Sequence, residues 1–290
     1  MSGYTVDPRI RWTESLPWVL ALAGFFLLPE YLALGSRILI FILFALSLDL
    51  ILGYGGIITL GHSAFFGLGA YTAGILSAKL GVNDNFVQLA AAAGAAALLG
   101  ALTGAVILRT KALTLLMLTL AITAILLEVA NKMSSITGGA DGLSGVVVNP
   151  ILGSFRFDLF GKTAFLYCLA VLALSWFLVR RIIYSPYGAM LTGIRDNTAR
   201  MHAIGAPVYL RLVLIYTLSA MLAGIAGALL TQVNQFVGPV VYLVAQDYLA
   251  KQFPEYWYFG IGVILILVVM FAPSGILGLI DRIKTKRRPA

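Results

Sequence analysis

Residues 53–71 read GYGGIITLGHSAFFGLGAY, so glycines, one histidine and one serine interrupt an apolar run. Glycine can open a helix, and a membrane tolerates free backbone groups only where they are buried in protein or line a wet cavity. Broken helices of this kind bind zwitterions, because amides at a helix N-terminus face a carboxylate and free carbonyls face a cation. The stretch therefore predicts a substrate pathway, or alternatively a tight helix turn around a satisfied core histidine. The pathway residues would be Gly55, Gly56, Gly61, His62 and Ser63.

The composition places this stretch in a membrane protein. Of the 290 residues, 60% are hydrophobic and 11% are charged, with a mean hydropathy of +0.96. Soluble domains carry about 25% charged residues, so this chain cannot cover a water-facing surface and must face lipid. The sequence predicts an all-α, polytopic bundle of about eight or nine apolar segments, forming a single domain over 1–290. The runs lie at 16–34, 38–54, 57–80, 86–108, 112–131, 163–183, 208–234, 238–250 and 256–280.

The net charge of +8 is distributed between the apolar runs and at the chain ends. Arginine and lysine concentrate near the N-terminus, at 109–111, at 180–211 and at 282–288. The positive-inside rule therefore places the N-terminus, these two connections and the basic C-terminal tail in the cytoplasm.

The number of crossings agrees with these charges only in the first part of the chain. The runs up to 183 return the chain to the cytoplasmic side, as the charges require. Between 211 and 282 both ends should be cytoplasmic, yet an odd number of runs lies there. Either the short run at 238–250 does not cross, or a crossing is missing near 237.

A second polar segment, TGGADGLSG at 137–145, falls in a predicted external loop. Its glycines and Asp-Gly pair specify a tight turn. Asp141 could bind a substrate ammonium group or a partner's basic residue, and the alternative is turn chemistry alone. Gly138, Gly139 and Asp141 are therefore further candidate pathway residues.

The cytoplasmic segment 184–207 predicts a folded hairpin of two short helices. Ser185 before a proline is typical of an N-cap, and either Asp196 or Asn197 caps a second helix that ends at Gly205. A structured element on the inner side favours docking to another protein over an amphipathic helix lying on the membrane surface.

Two acidic residues, Asp49 and Glu128, lie within apolar runs. They could line a path or pair with buried polar groups, since ionisable residues in membranes usually face the bundle interior. The chain has no phosphate-binding Gly-x-x-x-x-Gly-Lys-[Ser/Thr] loop. Neither a metal-ligand spacing nor a catalytic constellation is evident, so we expect a non-enzymatic chain that binds no metal.

Several stretches, spread over nearly the whole chain, resemble LivM-like permease subunits of ATP-binding-cassette (ABC) importers for branched-chain amino acids. They are GYGGIITLGHSAFFGLGAY at 53–71, TGGADGLSG at 137–145, SPYGAMLTGIRDNTARMHAIG at 185–205, SAMLAGIAGAL at 219–229 and FAPSGILG at 271–278. The resemblance implies a non-catalytic permease in the bacterial inner membrane that works by alternating access.

The same resemblance implies partners and a coupling site. The partners would be a second permease subunit, two cytoplasmic ATPase subunits that hold ATP and Mg, and a periplasmic binding protein. The segment 184–207 would couple to an ATPase. Its matching residues are Gly188, Arg195, Asp196, Asn197 and Gly205.

One departure from this family coincides with the failed crossing count. Family members carry a further apolar segment after the position of Phe236, whereas this chain continues directly from Val237 to Gly238. This departure keeps open a truncated chain that does not transport. A separate alternative is a self-sufficient carrier or channel for a small polar solute such as urea or an amide, which would need Asp49, Glu128 or His62 as coupling groups.

Overall fold

The computed structural model describes residues 12–27, 29–110, 112–139, 143, 145–150 and 161–237. Within these residues every regular element is a helix, which confirms the predicted all-α fold. The runs predicted at 238–250 and 256–280 and the basic tail lie outside the described residues. The helices are α1 (Trp12–Leu27), α2 (Leu32–Asp49), α3 (Ser63–Ala78), α4 (Asn85–Ile107), α5 (Ala112–Lys132), α6 (Ser134–Thr137), α7 (Lys162–Ile183), α8 (Pro186–Asp196), α9 (Thr198–Ala203) and α10 (Val208–Val237).

Five helical stretches among the described residues are long and apolar enough to cross a membrane. The chain is therefore an integral membrane protein, as the composition predicts. The five are Leu32–Tyr54, Asn85–Ile107, Leu113–Lys132, Lys162–Ile183 and Val208–Asn234.

Two predicted runs differ from the observed helices. The run at 57–80 forms a helix only from Ser63 onward, so α3 has 16 residues, fewer than the ~20 that a full crossing needs. The run at 16–34 is divided by a 3-10 turn, Pro29–Tyr31, after which α2 begins. A proline cannot donate a backbone hydrogen bond, so it commonly marks such a boundary.

The two ends of the bundle are defined by contacts between distant residues. At one end, called here the hairpin end, α8 and α9 lie beside the start of α10, and Tyr209 Oη donates to Ala105 O near the end of α4 (2.5 Å). At the opposite end, Gln232 Nε2 of α10 donates to Asn85 O at the start of α4 (3.0 Å). Helices α4 and α10 are therefore antiparallel neighbours over their full length.

Helix α10 forms the centre of the bundle through small side chains. Its Ala220, Ala223 and Ala226 are fully buried. A Cβ atom at Gly224 would overlap Ala96 Cβ of α4, and one at Gly69 of α3 would overlap the Gly224 carbonyl. Such close approach of backbones is how membrane helices associate without a hydrophobic driving force.

A buried polar network closes the opposite end. The Gln232 amide also donates to Gln88 Oε1 (3.0 Å) and accepts from Tyr167 Oη of α7 (3.0 Å). Gln88 in turn donates to Val82 O (2.8 Å). The network joins α4, α7 and α10, and it satisfies polar groups that would be costly if left unpaired in this environment.

Candidate functional site

The glycine-rich stretch forms a break between α2 and α3. Helix α2 continues as a π-helical turn, Leu50–Tyr54, and residues 55–62 are not helical. The wider turn is closed by Gly55 N–H bonding to Leu50 O (3.4 Å) and Ile57 N–H bonding to Ile51 O (3.2 Å). Single π-turns inside longer helices often mark functional sites. We call residues 53–62 the break.

Two glycines of the break are required by its geometry. Gly56 has a φ of +65°, a left-handed conformation that residues with a Cβ rarely adopt. A Cβ at Gly61 would overlap the Thr119 carbonyl of α5. Glycine at these positions therefore permits both the turn of the backbone and its approach to α5.

His62 lies in the core at the end of the break. Its side chain is 2% exposed, and Nε2 lies 2.9 Å from Ser47 Oγ of α2 and 3.4 Å from Ser219 Oγ of α10. The same two hydroxyls also bond to backbone carbonyls, those of Phe44 (2.6 Å) and Ser47 (2.5 Å). The imidazole therefore connects α2, α3 and α10 through one polar cluster.

The depth of His62 in the bundle and its contacts with aromatic rings bear on its predicted role as a pathway residue. Ser219 lies roughly 16 Å from the start of α10 at 1.5 Å per residue, so His62 is about a third of the way along this helix from the hairpin end. The Phe44 and Phe65 rings pack against the imidazole at centroid distances of 5.6 and 5.7 Å. Contact of His62 with a solute stays a prediction.

The break is hydrogen-bonded to α5 by two threonines. Leu60 N–H donates to Thr119 Oγ1 (3.3 Å), and Thr123 Oγ1 donates to Gly61 O (3.3 Å). Helix α5 otherwise packs thinly, since only 6% of the residues in its most apolar 18-residue stretch are buried. These two hydrogen bonds are therefore a large part of what holds α5 beside α3.

A groove of about 470 Å³ runs between α3 and α5. Ser63 and Thr123 are at the end near the break, and Met133 and Thr137 are at the other. Most of the wall between them is apolar, and its side chains include Leu68, Ile75, Leu126 and Leu127. The groove thus joins the two segments that the sequence marks as pathway candidates, and its shape suits an elongated aliphatic group.

The second predicted segment forms a tight turn at the far end of the groove. Gly138 and Gly139 both have positive φ, +80° and +62°. Thr137 Oγ1 donates to Ala130 O (2.5 Å) and accepts from Gly139 N–H (3.3 Å), which fixes the turn against α5. Asp141 lies outside the described residues, so its predicted contact with an ammonium group stays a prediction.

The segment 184–207 is folded as two short helices. Pro186 begins α8, and the Asn197 side chain accepts from Arg200 N–H (2.9 Å) to cap α9. Of the two residues proposed as the cap, Asn197 therefore fills it. Gly205 follows α9 with a φ of +79° and turns the backbone toward α10. We call Pro186–Ala203 the hairpin.

One face of the hairpin packs against the helical bundle. Gly188, Leu191 and Ile194 are buried, and a Cβ at Gly188 would overlap the Ile183 carbonyl. Tyr187 Oη donates to Arg211 O of α10 (2.8 Å), and burial raises the pKa of this phenol to about 12. The hairpin is therefore a fixed part of the fold, with its outer face exposed.

Arg195 and Asp196 form an exposed ion pair at the end of α8. Arg195 Nη2 lies 3.1 Å from Asp196 Oδ1, and Arg195 Nη1 donates to the carbonyl of Gly53 in the break (2.5 Å). Arg195 is thus shared between the hairpin and the break.

An open cavity of about 840 Å³ lies at the hairpin end. Its wall combines the break, the start of α5, the hairpin and the start of α10, with Arg195 and His202 among mostly apolar side chains. Gly55 and Gly56 are therefore brought to this cavity, whereas Ser63 is brought to the groove.

The two intramembrane acids have different surroundings. Asp49 is exposed at the start of the π-turn. Glu128 forms an i,i+4 ion pair with Lys132 (3.2 Å) on the exposed face of α5. Within the described part of the chain, no group of three or more His, Cys, Asp or Glu residues could hold a metal ion.

The sequence analysis did not single out Ser47, Thr119, Thr123 and Ser219 as site residues, although Ser219 begins the stretch SAMLAGIAGAL. All four are hydroxyl residues within apolar runs. A search for hydroxyls within spanning segments would have found them, because side-chain hydrogen bonds between helices are a recurrent feature of membrane bundles.

Comparisons with known proteins identify a family of transport permeases. Residues 31–253 match the model of the family described as branched-chain amino acid transport system permease component. Two relatives are the high-affinity branched-chain amino acid transport system permease proteins LivM of Salmonella typhimurium and Escherichia coli, each 25% identical. The alignments cover 84% and 96% of this chain and 69% and 76% of the relatives. No solved structure matches the chain.

Proposed function

Because the chain belongs to the permease family of branched-chain amino acid transport systems, we propose that it is the membrane-spanning subunit of an ATP-driven importer. It moves leucine, isoleucine, valine or a related hydrophobic amino acid into the cytoplasm across the bacterial inner membrane. The chain itself is non-catalytic, and ATP with Mg is bound and hydrolysed by separate ATPase subunits.

The observation that carries the proposal is the groove between α3 and α5. It connects Ser63, next to the break, with Thr137, next to the Gly138–Gly139 turn, through an apolar wall. An aliphatic side chain fits such a wall, and the few hydroxyls at the two ends offer hydrogen bonds to a passing zwitterion. The proposed pathway includes Ser63 in the groove and Gly55, Gly56, Gly61 and His62 in the break. Gly138 and Gly139, which follow Thr137 at the far end of the groove, and Asp141 of the same polar segment are the other proposed pathway residues.

Partners complete the importer. The exposed outer face of the hairpin suits docking to an ATPase, with Gly188 and Gly205 shaping the hairpin and Arg195, Asp196 and Asn197 near its tip. A second permease subunit pairs with this chain to close the open side of the groove, and a periplasmic protein delivers the substrate. ATP-driven closure of the ATPases then moves the hairpin and alternates access to the pathway.

An ion-coupled carrier has less support. Such a carrier needs intramembrane groups that exchange protons or ions with water along the path. Glu128, the acidic residue of α5, forms an ion pair with Lys132 on the exposed face of this helix. The paired side chains are 60% and 77% exposed, so they are directed away from the bundle.

A single glycine position tests the pathway. Gly67 lines the groove, and a Cβ there would meet nothing within 4 Å. Gly67→Leu should fill the groove without disturbing α3 and should lower leucine uptake at least about tenfold, the effect of ~1.4 kcal/mol on the transport barrier. Uptake is measured in proteoliposomes with the partner subunits and ATP.

The matched control is Gly94→Leu in α4. A Cβ at Gly94 also has open space around it, but Gly94 is absent from the groove wall. Uptake should therefore stay at the level of the unmodified protein. Equal uptake in both variants would rule out the groove as the pathway, and uptake that continues without ATP but stops with the proton gradient would rule out an ATP-driven importer.

A further inference from the structure

We infer that Arg195 is an internal link that carries movement of the hairpin to the break and on to α5, rather than a residue that contacts the ATPase. The inference rests on the proposed function, because it names how a docked ATPase would reach the pathway. The resemblance implies that Arg195 belongs to a coupling helix, yet its side chain donates a hydrogen bond to Gly53 in the break.

The first step is the cap that Arg195 provides to α2. The last carbonyls of a helix have no partner within it, and a basic side chain stabilises this negative end of the helix dipole. Gly53 O is one of these carbonyls, and Arg195 Nη1 donates to it (2.5 Å). The π-turn that continues α2 is therefore capped by a residue 142 positions later in the chain, which belongs to the hairpin.

The second step is the packing of the Arg195 stem on Gly56. A Cβ at Gly56 would lie 2.8 Å from Arg195 Cγ and 3.3 Å from its Cβ. Any larger residue at position 56 would displace the arginine. Arg195 is thus held to the break by a hydrogen bond at one side of the turn and by van der Waals contact at the other.

The guanidinium is also fixed on the hairpin side. Its Nε and Nη2 both donate to Asp196 Oδ1, at 3.2 and 3.1 Å. A guanidinium presents its donors in a rigid planar fork, so the contacts with Asp196 and Gly53 move together. Asp196 therefore orients the link.

The third step leads from the break to α5. Leu60 and Gly61 are bonded to Thr119 and Thr123, and a Cβ at Gly61 would overlap the Thr119 carbonyl. The break is thus in direct backbone contact with the helix that forms one wall of the groove. Since only 6% of the α5 window is buried, little other packing opposes its displacement.

The open cavity at the hairpin end leaves room for this movement. It lies between the three connected elements and has a volume of about 840 Å³. Closely packed interiors transmit strain but resist displacement, whereas an open cavity leaves the linked hairpin, break and base of α5 space to move together. Arg195 lies in the cavity wall, at the point where hairpin and break meet.

The test separates transmission from docking. The permease is reconstituted with its ATPase and binding-protein partners, and leucine transported per ATP hydrolysed is measured. Arg195→Ala should keep the ATPase subunits bound and hydrolysing while transport per ATP falls by about 5- to 150-fold, the range typical of coupling between sites. Arg181→Ala, at an exposed arginine of α7 outside the hairpin, should leave transport per ATP unchanged.

A double-mutant cycle tests whether Arg195 and Gly56 form one link. Gly56→Ala alone should lower transport per ATP, and adding Arg195→Ala should lower it less than the product of the single effects, because the clash with Cγ is gone. Gly205→Ala is the matched control, since Gly205 also has a positive φ but open space around its Cβ position. Its effect should multiply independently with that of Arg195→Ala.

Amide hydrogen exchange on the purified chain tests, without any ATPase, whether Arg195 stabilises the hydrogen bonds between the break and α5. In Arg195→Ala, the Leu60 amide, which is bonded to Thr119, should exchange faster than in the unmodified chain. Unchanged exchange at Leu60 would overturn the inference, as would loss of bound ATPase in proportion to transport. An unmodified chain that binds no ATPase would instead refute the proposed function, and the exchange result would still decide on the link.

Discussion

Helices α5 and α10 have nearly the same mean hydropathy, but α5 lies exposed at the edge of the bundle and α10 is buried in its centre. The mean hydropathy of their most apolar windows is 2.3 and 2.1, yet 6% of the α5 window is buried against 61% of the α10 window. The difference lies in side-chain size. Between Ala220 and Leu229, α10 carries alanine and glycine at most positions, whereas α5 is rich in leucine, isoleucine and methionine.

This comparison shows what hydropathy does and does not specify in a membrane protein. Apolar length selects a crossing, because lipid accepts any apolar helix. Small residues select the helices that pack against each other, because only they let backbones approach. Helix α10 therefore organises the bundle, whereas α5 packs thinly and is bonded to the break through Thr119 and Thr123.

The largest effect on stability should come from enlarging a small residue of α10. Gly224→Leu forces a side chain into the Ala96 and Ala92 region of α4, and overpacking of this kind costs about 1–3 kcal/mol or more. We expect a lower unfolding midpoint in detergent, or failure to accumulate in the membrane. The measurement is thermal unfolding followed by exposure of Cys168, which is buried in the folded chain.

Gly94→Leu provides the control for this prediction as well. Its Cβ has open space, and leucine favours a helix over glycine by up to about 1 kcal/mol. The midpoint should stay the same or rise slightly. A similar drop in the unfolding midpoint for Gly94→Leu and Gly224→Leu would mean that small-residue packing does not explain why α10 is buried and α5 is exposed.

A smaller effect is expected from the polar network at the far end of α10. Gln232→Leu leaves Gln88, the Asn85 carbonyl and Tyr167 without their shared partner. Hydrogen bonds between membrane helices contribute about 0.6 kcal/mol each and up to about 1.7, so a loss of about 1–2 kcal/mol follows.

The thermal midpoint checks this prediction, with Tyr167→Phe as the graded control. That variant removes one hydroxyl from the network and should lower stability by about 0.6 kcal/mol. An unchanged midpoint in Gln232→Leu would show that α10 is held by small-residue packing alone.

Local sequence patterns predicted the parts of this fold that depend on neighbours along the chain. The hairpin is an example, since Pro186, Asn197 and Gly205 each act on their own helix ends. The spanning helices are another, because apolar length is a local property.

Contacts between distant residues could not be read in the same way. The bond of Leu60 to Thr119 spans 59 positions, and that of Arg195 to Gly53 spans 142. Glycines at 53–61 indicated a broken helix, but not that Gly55 and Gly56 would line one cavity and Ser63 the separate groove. That division depends on how α5 and the hairpin pack around the break, for which single residues carry no local signature.

The smallest effect on stability is expected at α5 itself. Thr119→Val removes the hydroxyl that accepts from Leu60 N–H and should cost about 0.6 kcal/mol, less than the change at Gln232. Thr119→Ser keeps the hydroxyl and should retain the bond. Thr72→Val is the matched control, because the Thr72 hydroxyl donates to Leu68 O within its own helix and bonds to no other helix among the described residues.

Transport should respond to Thr119→Val far more than stability does. If α5 is a thinly packed wall positioned by the break, loss of this bond lets the wall drift while the bundle around α10 stays folded. Leucine uptake should then fall several-fold at an almost unchanged unfolding midpoint, and Thr72→Val should alter neither. A stability loss at Thr119 as large as that at Gln232 would contradict this picture, because it would mean that α5 is anchored as firmly as α10.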